Sequence, residues 1–274
     1  MDLVNCKGRL LDLTNPIVMG ILNITPDSFF DGGQHTEIEA AKTRAALMIS
    51  EGATIIDVGG MSSRPNAEII DVKEELIRVI PIIKAISSVF PDIFISIDTV
   101  HSKVAKAAIN AGASIVNDIS GGNIDKDIWK VCVDNNVAYI TMHMQGIPEN
   151  MQNNPHYNDV VLEVLCSLRD KYSEMKKIGL TDVIIDPGFG FGKSIDQNYT
   201  LLKRLASFKI LECPVLVGVS RKSMIYKPLN LKPSEALNAT TGLHMVALQN
   251  GAKILRVHDV KQAVECIKIN ALLS

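Results

Sequence analysis

Gly52-Ala53-Thr54-Ile55-Ile56-Asp57 holds the key to the fold in six residues: a glycine ending a helix, a small residue, a buried β-branched run and a polar exit. The glycine suits a left-handed helix C-cap, and the unbroken apolar run suits a strand covered on both faces. The layout returns at Gly112-Ala113-Ser114-Ile115-Val116-Asn117 and at Gly251-Ala252-Lys253-Ile254-Leu255-Arg256. The three copies lie 60 and 139 residues apart, roughly two and four times the 30 or more residues of a βα repeat.

Outward from these copies, eight short runs alternate with helical patterns: Ile17–Asn23, Thr54–Gly59, Ile93–Asp98, Ser114–Asp118, Val137–Met142, Val183–Asp186, Val215–Gly218 and Lys253–Val257. Eight βα units with no low-complexity linker between them predict an α/β fold of the (β/α)8 TIM-barrel type over an open doubly wound sheet, and 274 residues fit one such domain. Ahead of the first unit, residues 1–16 hold a stretch, Leu3 to Leu13, that reads as a β-hairpin turning near Lys7-Gly8 and capping the barrel floor. The connections 24–37 and 60–71 are longer than usual and are expected to be mobile active-site loops. His143 to Pro155 is a further irregular stretch, rich in Met, Gln, Asn and Pro.

Composition narrows the function. Hydrophobic residues at 47% against 21% charged supply a core. Twenty-eight basic against thirty acidic residues offer no surface for a nucleic acid. The N-terminus places Asp2 where a secretion signal needs positive charge, and no apolar run reaches the roughly 18 residues of a membrane span. Five scattered cysteines without a CxxC pair point away from structural zinc and disulfides and toward a reducing cytoplasm.

In a (β/α)8 barrel the chemistry sits at the C-terminal strand ends. Those exits read Asn23, Asp57, Asp98, Asn117, Met142, Asp186, then Gly218 leading into Ser220-Arg221-Lys222-Ser223, and last Arg256 with His258. Carboxylates and amides can pair with the N–H and carbonyl edge of a heterocycle, while Arg, Lys and Ser can hold an anion. Each residue has a plainer role open to it. Asp57 and Asp98 suit helix N-caps, Asn117 and Asp118 suit the turn before Gly121-Gly122, and Arg221-Lys222 suits a solvated charge pair. His258 suits the start of the last helix, and Phe191 suits either the core or an aromatic wall.

Asp186-Pro187-Gly188-Phe189-Gly190-Phe191-Gly192-Lys193-Ser194 looks like a phosphate loop, but the Walker spacing needs a glycine where Pro187 stands. It reads better as a tight strand-to-helix connection whose glycines let the backbone approach a flat ligand. The six histidines form no HxH or HExxH pattern, and there is no GxSxG elbow.

NITPDSFFDGG (23–33), DVGGMSSRP (57–65), SIDT (96–99), NDISGG (117–122), DPGFGFGKS (186–194), VGVSRKS (217–223) and RVHDV (256–260) together resemble the dihydropteroate synthase family, in order and over nearly the whole chain. The resemblance implies a transferase that joins 6-hydroxymethyl-7,8-dihydropterin pyrophosphate to p-aminobenzoate, releases pyrophosphate and uses Mg²⁺. It further implies a homodimer inhibited competitively by sulfonamides. Carried over by position, the pterin subsite comprises Asp98, Asn117, Ile119, Met142, Asp186, Phe191, Gly218, Lys222 and Arg256, with Asp98, Lys222 and Arg256 as the catalytic group. Phe29, Ser63, Arg64, Pro65 and Ser223 fall in the p-aminobenzoate subsite and its loops. Arg64, Arg256 and His258 contact pyrophosphate, and Asn23 contacts the metal. The chain departs from the family pattern at Met61, where an acidic residue is usual, and at Phe30 and Asn66. Three other functions compete: a non-catalytic pterin-binding homologue, a pterin-dependent methyltransferase domain, which should lack the anion cluster at 220–223, and a Schiff-base aldolase using Lys222.

Overall fold

Gly52, Gly112 and Gly251 all have positive φ, at 102°, 127° and 95°. They turn each chain segment out of a helix and into a strand, as the repeated sequence layout requires. The computed structural model describes residues 2–24, 33–61, 70–146, 151 and 155–273, with 33–35 described by backbone alone.

Ten strands and nine α-helices are present among the described residues. The strands β1 (Leu3–Cys6) and β2 (Arg9–Asp12) precede the barrel strands β3 (Ile17–Asn23), β4 (Ile55–Gly59), β5 (Phe94–Asp98), β6 (Ile115–Asp118), β7 (Ala138–Met142), β8 (Val183–Asp186), β9 (Leu216–Val217) and β10 (Ile254–Val257). The helices are α1 (Gly33–Ser50), α2 (Val72–Val89), α3 (Ser102–Ala111), α4 (Asp127–Asn135), α5 (Val160–Lys177), α6 (Ile195–Lys203), α7 (Ser223–Tyr226), α8 (Leu237–Gln249) and α9 (Val260–Leu272). The eight-stranded sheet is parallel and runs β8-β7-β6-β5-β4-β3-β10-β9. A parallel bridge between Ile185 and Val215, with Ile185 N donating to Pro214 O at 2.9 Å, brings its two edges together. This is the TIM barrel that eight βα units predict.

Strand alternation sorts the core into two layers. Met19, Ile55, Phe94, Ile115, Ile140, Ile184, Leu216 and Ile254 cluster with hairpin residues Val4, Cys6, Leu11 and Leu13, so they fill the lumen and rest on its floor. Their neighbours Val18, Ile56, Ile95, Val116, Tyr139, Ile185, Val217 and Leu255 pack instead with helix residues. Because successive side chains point to opposite faces, the residue two places beyond each floor residue returns to the lumen one layer higher. That layer reads Ile21, Asp57, Ser96, Asn117, Met142, Asp186, Gly218 and Arg256.

The hairpin pairs Leu3 with Asp12 and Cys6 with Arg9, turning at Lys7 and Gly8 (φ 58° and 84°), as the sequence predicts. Three boundaries differ from the sequence reading. Six barrel strands start one residue later than predicted, although residues such as Thr54 and Ser114 still donate to the neighbouring strand, both at 2.9 Å. The seventh strand is only Leu216–Val217, not Val215–Gly218, because Pro214 lacks a donor before it and a turn closed by Lys222 N to Val219 O at 3.1 Å follows it. The connection predicted at 24–37 is shorter, since α1 already begins at Gly33; the polar run Gln34-His35-Thr36 read as loop but contains no proline to oppose a helix.

Two glycines should respond to alanine in opposite directions. A Cβ on Gly112 would meet the Ser87 Cβ at 2.6 Å as well as forcing a disfavoured φ, so Gly112→Ala should cost about 2 kcal/mol of stability. At Gly242, inside α8, no atom of the described residues beyond the helix's own backbone and the two chain neighbours lies within 4 Å of the point where a Cβ would stand, so Gly242→Ala should stabilise by about 0.5 to 1 kcal/mol. Urea unfolding of the two variants should give shifts of opposite sign.

Candidate active site

Arg256 reaches from β10 across the lumen to two carboxylates on neighbouring strands. Its Nε lies 2.7 Å from Asp57 Oδ2 and its Nη2 2.6 Å from Asp98 Oδ2. Asn117 Nδ2 donates to the same Asp57 oxygen at 3.1 Å. Register sets this cluster, for Gly59 pairs with Asp98 and Asp98 pairs with Asn117 across the sheet. Burial pushes the Asp98 carboxyl up to about 7, against the pull of Arg256 and with the repulsion of Asp57. Burial by itself would depress Arg256, but Asp57 and Asp98 outweigh it and hold the guanidinium firmly charged.

On the opposite side of the mouth stand Asp186 and Lys222. Gly188 N donates to Asp186 Oδ1 at 2.7 Å. Lys222 Nζ donates to the Phe189 carbonyl and lies 4.6 Å from the centroid of the Phe191 ring. Burial lowers Lys222 to about 8 and raises Asp186, each effect being opposed by the charge of the other. Gly218 separates the two cations: a Cβ there would sit 3.8 Å from Arg256 Cβ and 3.9 Å from Lys222 Nζ. Above them, Ile119, Met142 and Phe191 join Met61, Val100 and Met151 in an apolar cluster. The mouth thus combines carboxylate and amide acceptors, two cations and an apolar wall, a set suited to a flat, nitrogen-rich ring bearing an anionic substituent.

The pterin residues expected from the sequence, Asp98, Asn117, Ile119, Met142, Asp186, Phe191, Gly218, Lys222 and Arg256, are all placed on this rim. Asn23 lies beside it: its Oδ1 and Asp98 Oδ2 are 3.6 and 3.7 Å from the Cβ position of Gly59. Ser223 opens α7, half-buried. His258 Nδ1 is 3.1 Å from Ser220 Oγ, and Ser220 Oγ accepts from His258 N at 3.3 Å. Burial, followed by the charge of Arg256, pulls this imidazole down to about 4, so it is neutral at pH 7. Phe29, Ser63, Arg64 and Pro65 lie outside the described residues.

The plainer roles are decided one by one. Asp71 caps α2, and the N-cap position of α3 is His101, with Ser102 N donating to Asp125 Oδ2 at 2.8 Å, so neither Asp57 nor Asp98 serves as a cap and both are free for the lumen. Asp118 is the turn former, accepting from Ser120 N, Gly122 N and Tyr139 OH at 2.7, 2.8 and 2.7 Å, while Asn117 faces inward. Asp259, not His258, is the residue before α9. The predicted anion cluster at 220–223 requires correction. Arg221, with φ 55°, forms a two-pronged pair with Asp259 at 2.8 and 2.6 Å, and its charge is spent there.

Two residues of the site went unassigned in sequence. The sequence sets Asp57 among the polar strand exits without giving it a subsite, and the structure places it in the ring against Arg256. Lys193 is 2% exposed and donates to loop carbonyls; beside the N-cap Ser194, which forms a capping box with Gln197, it reads as an ordinary surface lysine.

Comparison with known proteins places this geometry. Residues 19–258 match the family model described as pterin binding enzyme. The chain is 45% identical over 265 residues to a dihydropteroate synthase of Escherichia coli strain K12, covering 96% of this chain and 93% of that one. It superposes with a TM-score of 0.93 on a Yersinia pestis dihydropteroate synthase in complex with a sulfonamide drug, at 39% identity over 99% of this chain and 98% of the other. A Xanthomonas albilineans dihydropteroate synthase in complex with 7,8-dihydropteroate gives 0.89 at 37% identity, covering 99% and 98%.

Beneath the rim, Glu75 of α2 is 1% exposed and its Oε1 has no partner among the described residues. Burial pushes it up to about 7; the Thr99 hydroxyl offsets part of this and the Asp98 charge adds to it. A raised folded-state pKa means that the native state holds its proton longer than the unfolded chain. Stability is therefore full below the ordinary glutamate range and declines as pH rises toward about 7. Glu75→Gln should flatten that decline, gaining about 1 to 2 kcal/mol at pH 8 and little at pH 4.5 in urea unfolding. Equal effects at both pH values would exclude an ionising Glu75.

Proposed function

The chain belongs to the dihydropteroate synthases within the pterin-binding enzyme family, making it a transferase, and we propose that it joins a pterin pyrophosphate to p-aminobenzoate through a pterin methylene cation. The observation that carries the reading is the pairing of Asp186 and Lys222 on one side of the mouth with Asp98, Asn117 and Arg256 on the other. Asp186 and Asn117 accept from the amino and ring N–H groups of the pterin, Lys222 donates to its carbonyl edge, and Phe191 and Met142 wall its faces. Arg256 lies over the ring and faces the pyrophosphate.

Bond cleavage releases pyrophosphate as an anion and leaves a positive charge delocalised over the pterin methylene. Arg256, held charged by two carboxylates, steadies the departing anion, and His258 adds a neutral N–H donor. Asp98, in the ionised form that the Arg256 contact favours, faces the developing cation with negative charge, which works strongly in a buried mouth. The aryl amine then attacks the methylene carbon and loses its proton to solvent. No protein nucleophile takes part.

Asn23 offers one amide oxygen beside the mouth, and no group of three or more His, Cys, Asp or Glu side chains converges among the described residues. Such a sparse set fits Mg²⁺, which keeps several waters and binds largely through substrate phosphate. Asn23 would hold the ion, which when bound supplies positive charge to the pyrophosphate. Sulfonamides, as p-aminobenzoate mimics, would compete for the subsite beside Ser223.

Incubating the purified protein with both substrates and Mg²⁺ should yield dihydropteroate; pterin binding without product would overturn the catalytic reading. Two variants divide the site. Asp186→Asn sets a donor against donors and should weaken pterin binding by at least about 2 to 3 kcal/mol in calorimetry. Ser223→Ala removes a neutral donor at the half-buried outer edge, so KM for p-aminobenzoate should rise about tenfold or less with pterin affinity nearly unchanged.

A further inference from the structure

Lys193 has no part in the chemistry above, yet it is among the most enclosed cations of the molecule. Its Nζ lies 2.8 Å from Gly188 O, 3.1 Å from Phe191 O, 3.3 Å from His143 O and 3.1 Å from His143 Nδ1. Burial pulls Lys193 down to about 7 and the His143 imidazole further, to about 3, so in the protonated form of the lysine, which has no lone pair, the ring nitrogen is the acceptor. The loop from Pro187 to Gly192 turns at three glycines of positive φ, at 74°, 81° and 60°. A Cβ on Gly188 would collide with the His143 carbonyl, and one on Gly192 with the backbone of Gln145, so the loop lies directly against the exit of β7. Its far side is tied by Asn198, which accepts from Gly190 N at 2.7 Å and donates to Ser194 O at 2.7 Å.

The same loop presents the pterin subsite. Its Phe189 carbonyl receives Lys222, its Phe191 ring lies beneath the Lys222 ammonium, and its Gly188 N–H fixes Asp186. Every one of those contacts is flanked by a carbonyl that Lys193 gathers from inside. Ser223, by contrast, stands on α7, outside the set of groups that the Lys193 ammonium holds.

We propose that Lys193 is a positioning residue for the pterin subsite: by drawing the Gly188, Phe191 and His143 carbonyls together, it fixes where Phe189, Phe191 and hence Lys222 stand. This rests on the pterin reading of the mouth. Removing the ammonium leaves buried carbonyls without their charged donor, and the loop must shift to resatisfy them. Ser223 is not among the groups that Lys193 contacts, so binding of p-aminobenzoate should be spared.

The test measures binding of 6-hydroxymethyl-7,8-dihydropterin pyrophosphate by calorimetry and KM for p-aminobenzoate at saturating pterin, in wild type, Lys193→Met and Lys193→Ala. Both variants should weaken pterin binding by about tenfold or more while KM for p-aminobenzoate stays within about twofold. Ethylammonium chloride should restore pterin affinity to Lys193→Ala, which leaves space for it, and not to Lys193→Met, whose stem fills that space. A purely volumetric role would instead be satisfied by methionine. Unchanged pterin affinity in Lys193→Met, equal losses for both substrates, or no recovery with ethylammonium would each overturn the proposal. Where Lys193→Ala does not fold, the substrate split in Lys193→Met decides. Failure of the wild type itself to bind the pterin would overturn the reading of the mouth instead.

Discussion

Two carboxylates share one guanidinium at the mouth of the barrel, and the rest of the site is arranged around that unequal pairing. Asp57 is fully buried and Asp98 nearly so, and Arg256 is the cation in direct contact with both. Taken separately, each of these charges would be expensive to bury; together they are held in a fixed arrangement before any ligand arrives. Asp57 has a buried oxygen, Oδ1, with no partner among the described residues, so the cluster keeps an unused acceptor at its centre. A substrate that brings both N–H donors and an anionic group meets complementary partners already in position, which is the condition for electrostatic catalysis.

The cluster depends on what lies beneath it. The hairpin and the lumen residues from Met19 to Ile254 form an apolar floor, so the polar layer above can only open toward the strand exits. Around the outside, helix residues cover the alternate strand faces and leave no second direction in which the ionic side chains could turn. Neighbouring charges are dealt with locally. Asp118 is saturated by a turn and by Tyr139, and Arg221 is engaged by Asp259. The result is a rim on which groups adjacent in sequence serve different ends: Asn117 and Lys222 face the mouth, while Asp118 and Arg221 hold the scaffold.

Much of this is written in local pattern. The glycine-strand-polar layout at 52, 112 and 251 depends on backbone conformations that glycine favours and on β-branched runs that need cover on both faces, so it specified a βα barrel without reference to distant residues. The identity of the polar exits was equally legible, because an alternation of two residues links each to the floor below. What the sequence could not determine is who partners whom. Asp57 and Arg256 are 199 residues apart, and only the strand register brings them to 2.7 Å. Lys193 reads as a surface lysine until the loop folds back against His143, fifty residues earlier, and closes three carbonyls over its ammonium. Local propensity and periodicity act within a turn or a strand, and these the sequence settled by itself; charge pairing and burial depend on distances across the barrel, and those exist only once the sheet has closed.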